Sequence, residues 1–356
     1  MRSLPRFFEV RSRSARVAAL VGVCAVVVAF ATPQELPVHL VRLEQQSGTT
    51  EALYAVSAVN DRVAWAAGAH GTVAHTSDGG ETWRVTRVPG AESLTFRAVR
   101  GFNASFAYAM SGGPGKNSRI YRTSDGGAHW FPAFINIDPP INWTACSFWN
   151  ANEAVAVSEP IRGEFLTMLT TDAGDHWDRV ASKQLPAALD SERLPDFNGA
   201  ALFAGRAGRA WFGTTKARVV RTTNYGAKWS VSWTHLTTDS LGVVSLIFRD
   251  KSHGLAFSAH AEKATDTLIA VTSDGGSSWA PAALQPLMSS IAGAAFVPDL
   301  QGPTLVVVGR EGATYSRDNG FSWVRLDSVP YTSVSFARRN AGWAVGESGR
   351  VTKISF

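Results

Sequence analysis

The sequence predicts an all-β chain folded as a seven-bladed β-propeller, and three observations carry that prediction. An eight-residue pattern, Ser/Thr-x-Asp-x-Gly-x-x-Trp, occurs six times between residues 76 and 323, with Asn224 in place of Asp as its one departure. The closing tryptophans, Trp83, Trp130, Trp177, Trp229, Trp279 and Trp323, lie 47, 47, 52, 50 and 44 residues apart. That period suits four short strands with their turns and is too long for a single hairpin. Finally, 32 glycines and 12 tryptophans in 356 residues, with no long helical period, fit short strands joined by many turns.

Each repeat has a local explanation. An Asp or Asn side-chain oxygen can accept hydrogen bonds from backbone N–H groups one or two residues on, and the following Gly reaches positive φ at little cost, so Asp-x-Gly predicts a tight turn. The Thr before it and the Trp after it then stand on the two strands leaving the turn, with the indole packing on the neighbouring blade. Calcium needs six to eight oxygens, and each copy offers one carboxylate, with acidic x positions only at Glu81 and Asp175. Asp78, Asp125, Asp172, Asp274 and Asp318 therefore read as structural. Asn224 agrees, because an amide closes the same turn and cannot act as an acid or base.

These motifs place the sequence among proteins with the Asp-box (BNR) repeat, which it resembles: bacterial sialidases, sortilin-type receptors, xyloglucanases and the photosystem II assembly and stability factor family. The likeness to that last family and its non-photosynthetic relatives runs over the whole length that follows the first 31 residues. It is carried by VAWAAGAHGTVAHTSDGGETW from Val63 to Trp83, FWNANEAVAVSEPIRGEFLTMLTTDAGDHW from Phe148 to Trp177 and NAGWAVGESGRVTKI from Asn340 to Ile354. The chloroplast and cyanobacterial members of that family are lumenal seven-bladed propellers that bind an unassembled membrane-protein subunit, so the resemblance implies an assembly or interaction role, without implying photosynthesis.

Blade one is expected to use residues 53–59, 63–67, 72–76 and 83–87, and comparable first strands recur from Arg97, Thr144, Ala200, Val243, Gly293 and Thr332. That makes seven starts for six turn motifs. The last unit carries three strands before the chain ends, whereas residues 38–45 (VHLVRLEQ) have no partner of their own. The N-terminal strand is thus expected to complete the last blade and close the ring.

The first 31 residues read as a signal peptide, leaving 32–356 as one propeller domain. Arg2, Arg6, Arg11, Arg13 and Arg16 precede an apolar stretch over 17–30, and Ala29-Phe30-Ala31 is an A-x-A cleavage pattern. The expected protein is exported, periplasmic or extracellular, or held by the segment if it stays uncleaved. The stretch is short for a bilayer span. Five Arg against Glu9 give the leader a net +4, so removing it takes the chain from +5 to +1, and no nucleic-acid surface is indicated. Of two cysteines only Cys146 remains, which rules out an internal disulfide in the mature chain.

In such a fold the Asp-box turns share one face, and the turns between second and third strands share the other with the interblade loops. That second face is the candidate binding surface. Its turns hold eight cations, Lys116, Arg119, Arg162, Lys216, Arg218, Lys263, Arg310 and Arg350, against Glu159, Glu164, Glu262, Glu311 and Glu347, with His70 and His260. The loop 182–196 adds Asp190, Glu192 and Asp196 and reads as an insertion able to cap a groove. No catalytic constellation emerges: the sialidase Arg-Ile-Pro motif is missing, GGPGKN at 112–117 lacks the first glycine of a phosphate loop, and the histidines show no metal spacing. The expectation is a monomeric, non-catalytic, protein-binding propeller without cofactor or metal, with a glycan-binding or glycan-cleaving propeller of sialidase type as the alternative.

Overall fold

The computed structural model describes residues 40–195, 202–205, 207–236, 242–258, 267–282, 288, 290–300 and 302–356. The leader, Asp196, His260, Glu262 and Lys263 lie outside the described residues.

The strands form seven four-stranded antiparallel sheets, the blades of a β-propeller. Blade one comprises Leu53–Ala58, Ala64–Gly68, Thr72–Thr76 and Arg84–Arg87. The next five blades begin at Phe96–Gly101, Trp143–Phe148, Leu202–Ala204, Val243–Phe248 and Gly293–Phe296, each within two residues of its expected start. Blade seven contains Ser333–Arg338, Ala341–Val345 and Val351–Ser355, with Val41–Gln45 as its outer strand. Each first strand touches the next around the hub, and the first strand of blade seven returns to that of blade one.

Second strands are buried throughout, as in the runs AWAAG, AVAVS and LVVVG, because each lies between two neighbouring sheets. Small residues let the sheets approach, and a few large rings fill what remains. Trp65, Trp211 and Trp343 are no more than 1% exposed. Gly101 shows the fit: a Cβ there would stand 2.2 Å from the Trp65 ring, so the first strand of blade two must carry glycine where blade one inserts its indole. Outer strands are exposed instead; Phe131 and Leu43 each keep 58% of their surface in solvent.

Side chains also cross between blades near the hub. The hydroxyls of Ser57, Ser147 and Ser335 accept the backbone N–H groups of Gly101, Ala204 and Ala58, each in the following blade, at 3.0–3.1 Å.

The closing strand runs antiparallel to the chain's last strand, with Val41 opposite Ser355 and Gln45 opposite Val351. Arg42 pairs with Asp327 of blade six at 2.6 Å. Gln45 bolts blade seven to blade one: its Oε1 accepts the indole N–H groups of Trp83 and Trp343 at 3.2 and 3.1 Å, and its Nε2 donates to the Gly79 carbonyl at 3.0 Å.

Candidate functional site

The two faces of the ring are chemically different. On one, the six repeated motifs form the turns between third and fourth strands. In blade one the Thr76 hydroxyl donates to the Asp78 carboxylate at 2.8 Å and accepts the Gly80 N–H at 2.9 Å, while Asp78 accepts the Thr82 N–H at 3.0 Å. The same set recurs around Asp125, Asp172, Asp274 and Asp318, and Asn224 accepts the Lys228 N–H at 3.0 Å in the same way. The acceptor geometry thus differs from the expected one. The glycine N–H goes chiefly to the Ser/Thr hydroxyl, and that frees the carboxylate to bind the N–H four residues on.

These hydrogen bonds favour the ionised form. The His129 backbone and ring N–H groups hold Asp125 at about 2, and the corresponding groups of His176 hold Asp172 at about 2. For Asp274 burial works the other way, but donation from Ser278 outweighs it and the group also falls to about 2. Among the described residues no group of three or more His, Cys, Asp or Glu side chains could hold a metal ion.

The tryptophans after the turns pack inward, and several find polar partners. Trp130 meets Trp65 of blade one edge-on with centroids 6.1 Å apart. Trp279 donates to the Ser232 hydroxyl at 3.1 Å, whereas Trp229 and Trp323 donate to the Gly226 and Gly320 carbonyls of their own turns. Trp177 is half-buried beside Phe134 of blade two.

The opposite face holds an open depression of about 1180 Å³, built by loops of blades two, three and four. Its rim comes from the turn at Gly112–Pro114, the entry to blade three at Asn142 and Thr144, the turn at Glu159–Gly163, the long loop at 188–195 and the turn at Thr215–Lys216. The charged lining is mixed: Arg97, Arg193 and Lys216 against Glu159, Asp190 and Glu192. Leu189, 41% exposed, supplies an apolar lip.

The eight expected cations do not act as one surface. Lys216 lines the depression and is exposed, and Arg162 is exposed in the adjoining turn, with φ 53°. Lys116 and Arg310 are exposed on other turns. Arg119 is a clasp: its Nε donates to the Lys116 carbonyl at 2.6 Å and its Nη1 to the Gly90 carbonyl at 2.9 Å. Arg350 likewise donates to the Pro330 carbonyl at 2.9 Å.

Arg218 departs furthest from expectation. Rather than standing on an exposed turn it is 5% exposed, because it opens the third strand of blade four directly beneath the long loop. Its guanidinium grips the Glu192 carboxylate, with Nε donating to Oε1 at 2.8 Å and Nη2 donating to Oε2, and also reaches the Ala187 carbonyl at 2.9 Å. Glu192 further accepts the Thr214 hydroxyl at 2.5 Å and the Leu189 N–H at 2.8 Å. Burial alone would raise its pKa, but these donors lower it below the ordinary carboxylate value. The loop is therefore fastened to the propeller by a buried pair, and Leu194 beside it is buried as well, its N–H bound to Glu159 at 3.3 Å. Sequence reasoning singled out this loop for its acids. It missed Arg193 on the same loop, and it missed Arg97, which looked like an ordinary member of a buried strand.

No family model matches the chain, and no curated protein matches it. Solved structures do. A structure of YCF48 bound to D1 peptide superposes with a TM-score of 0.64 at 17% identity, over 89% of this chain and 97% of that one. YCF48 from Cyanidioschyzon merolae gives 0.65 at 16%, over 88% and 98%. U3-55K gives 0.64 at 10%, over 88% and 98%. The chain is thus a seven-bladed β-propeller that resembles YCF48 in fold.

Proposed function

We propose that this chain is an exported, non-catalytic propeller that binds a protein partner, such as a membrane-protein subunit awaiting assembly, in the depression opposite the aspartate turns. The observation that carries the reading is the depression itself. It is wide and open, its charges are of both signs, and an apolar lip stands at Leu189, which suits an extended polypeptide better than a small substrate. Its longest wall is fixed before binding, since Glu192 and Arg218 hold the loop in place, and a preordered wall loses less freedom on association. The likeness to YCF48, solved with a D1 peptide, points the same way. The leader sequence supports export.

Site-specific photocrosslinking tests the proposal. A photoreactive residue at Leu189 should give a discrete protein adduct in cells, while one at the exposed Phe321, among the aspartate turns, should give none. Adducts at Phe321 alone would place the partner on the other face, and binding to a glycan array without any protein adduct would favour a carbohydrate ligand.

A further inference from the structure

Among the described residues, the outer strand of blade four is the one unguarded edge of the ring. The other six outer strands each carry a device that hinders further pairing. Arg84–Arg87, Val324–Asp327 and Val41–Gln45 bear charges, Phe131–Ile135 contains Pro132, and Asp178–Arg179 and Ala280–Pro281 are only two residues long. Trp229–Trp233, with the sequence WSVSW, has five residues and neither charge nor proline. It also stands clear, because the two-residue outer strands belong to blades three and five on either side of it.

The backbone of this edge is ready to pair. The Thr234 N–H donates to the Ala217 carbonyl at 2.9 Å, and pairs along an antiparallel ladder alternate between those that exchange hydrogen bonds and those that do not. Trp233 opposite Arg218, Val231 opposite Val220 and Trp229 opposite Thr222 are therefore non-exchanging pairs. The N–H and C=O groups of Trp229, Val231 and Trp233 point out of the sheet, and no described strand takes them up. Side chains hold the strand in place: Ser232 donates to the Gly276 carbonyl of blade five at 2.7 Å, and the Trp233 ring lies 6.0 Å from the Arg218 guanidinium. Val231 and Trp233 are nonetheless 39% and 52% exposed.

The sequence of the edge selects its occupant, for WSVSW reads the same in both directions. An antiparallel copy centred on Val231 sets valine against valine, serine against serine and tryptophan against tryptophan. One residue further out Lys228 meets Thr234, so no like charges face each other. The outward groups of the two strands then satisfy one another about a two-fold axis, the symmetry of an isologous dimer. We propose that two copies of this chain pair edge to edge through Trp229–Trp233, joining their fourth blades into one continuous sheet. This departs from the monomer expected from the sequence, and it is independent of partner capture in the depression. A five-residue ladder is small beside a standard interface, so the dimer should be weak, with Kd of about 10 to 100 µM.

Sedimentation velocity on the purified protein tests it. Between about 1 and 300 µM the wild type should shift reversibly from monomer toward dimer. Val231→Lys puts like charges on the two-fold axis and should weaken the dimer about tenfold or more, while Tm stays near that of wild type because the side chain is partly in solvent. Cross-linking gives a second measurement that does not depend on that variant. Val231→Cys should join to its copy under mild oxidation, since the two positions are directly opposed, whereas Lys228→Cys should not, being offset from its copy by about 20 Å of strand. The native Cys146 is buried and should not compete. A wild type that stays monomeric at about 300 µM, a Val231→Lys variant that dimerises equally, or equal cross-linking from both cysteine variants overturns the proposal. A different protein held at this edge by a monomeric wild type would overturn it as well.

Discussion

The Glu192 carboxylate, whose side chain has no exposure, is gripped through both oxygens by the Arg218 guanidinium, whose side chain is 6% exposed. One partner comes from the long loop before blade four and the other from that blade's third strand, so the pair joins the most irregular segment of the face to the regular lattice beneath it.

Removing one member should strand the other charge out of water. Arg218→Ala should cost about 3 kcal/mol in urea unfolding, and the double replacement Glu192→Leu with Arg218→Met should cost less than either single change. Single and double variants that all unfold at the wild-type midpoint would show that the pair contributes nothing.

The aspartate turns should respond to shape and acceptor more than to charge. Asp125→Ala removes the acceptor for the His129 N–H and should lower Tm, whereas Asp125→Asn should lower it less, since Asn224 already fills that role in blade four. Equal losses in both variants, measured by calorimetry, would mean that the negative charge itself is what matters.

Closure should be visible at Gln45. Gln45→Ala removes the acceptor of two indole N–H groups and one bond to Gly79, and should cost about 2 kcal/mol because the donors of buried Trp343 and half-buried Trp83 lose their partner. A chain beginning at Thr50 exposes the edge of Val351–Ser355 and should aggregate. If that chain melts at the wild-type temperature, the ring does not depend on its closing strand.

His75 gives the fold a pH dependence of predictable sign. It stacks on Trp65 with centroids 3.8 Å apart, and its Nε2 is buried without a partner. Burial first, and the Arg84 charge second, lower its pKa from 6.5 to about 4. A folded pKa below the unfolded one favours the neutral ring, so its stabilisation is complete above pH 6.5 and is lost as pH falls toward 4. The Tm of wild type should drop between pH 7 and pH 4.5 by more than that of His75→Phe. Parallel pH profiles would contradict this.

Most of the fold was legible because its signals are local and repeated. The Thr-x-Asp-x-Gly turn and its Trp are specified within eight residues, and the lone strand ahead of blade one could be matched to the three-stranded last blade by counting. The site was less legible, since burial at a propeller face depends on which loop covers which turn. Arg218 and Arg162 look alike in sequence; only the path of the loop at 188–195 makes one a buried anchor and leaves the other in solvent. Arg97 escaped notice for a different reason: it stands in a strand that also carries the core residue Phe96, and the depression it lines exists only once the blades have closed.

Capture of a partner by charge-reversed protein tests the central claim most directly. Arg193→Glu with Lys216→Glu changes two exposed cations in the depression and should leave Tm nearly unchanged. Tagged double variant should recover far less of the protein that the wild type captures, with the difference narrowing as salt rises, while Lys228→Glu among the aspartate turns should capture normally. Equal capture by wild type and double variant at low salt, or loss in Lys228→Glu alone, would contradict a binding site in the depression.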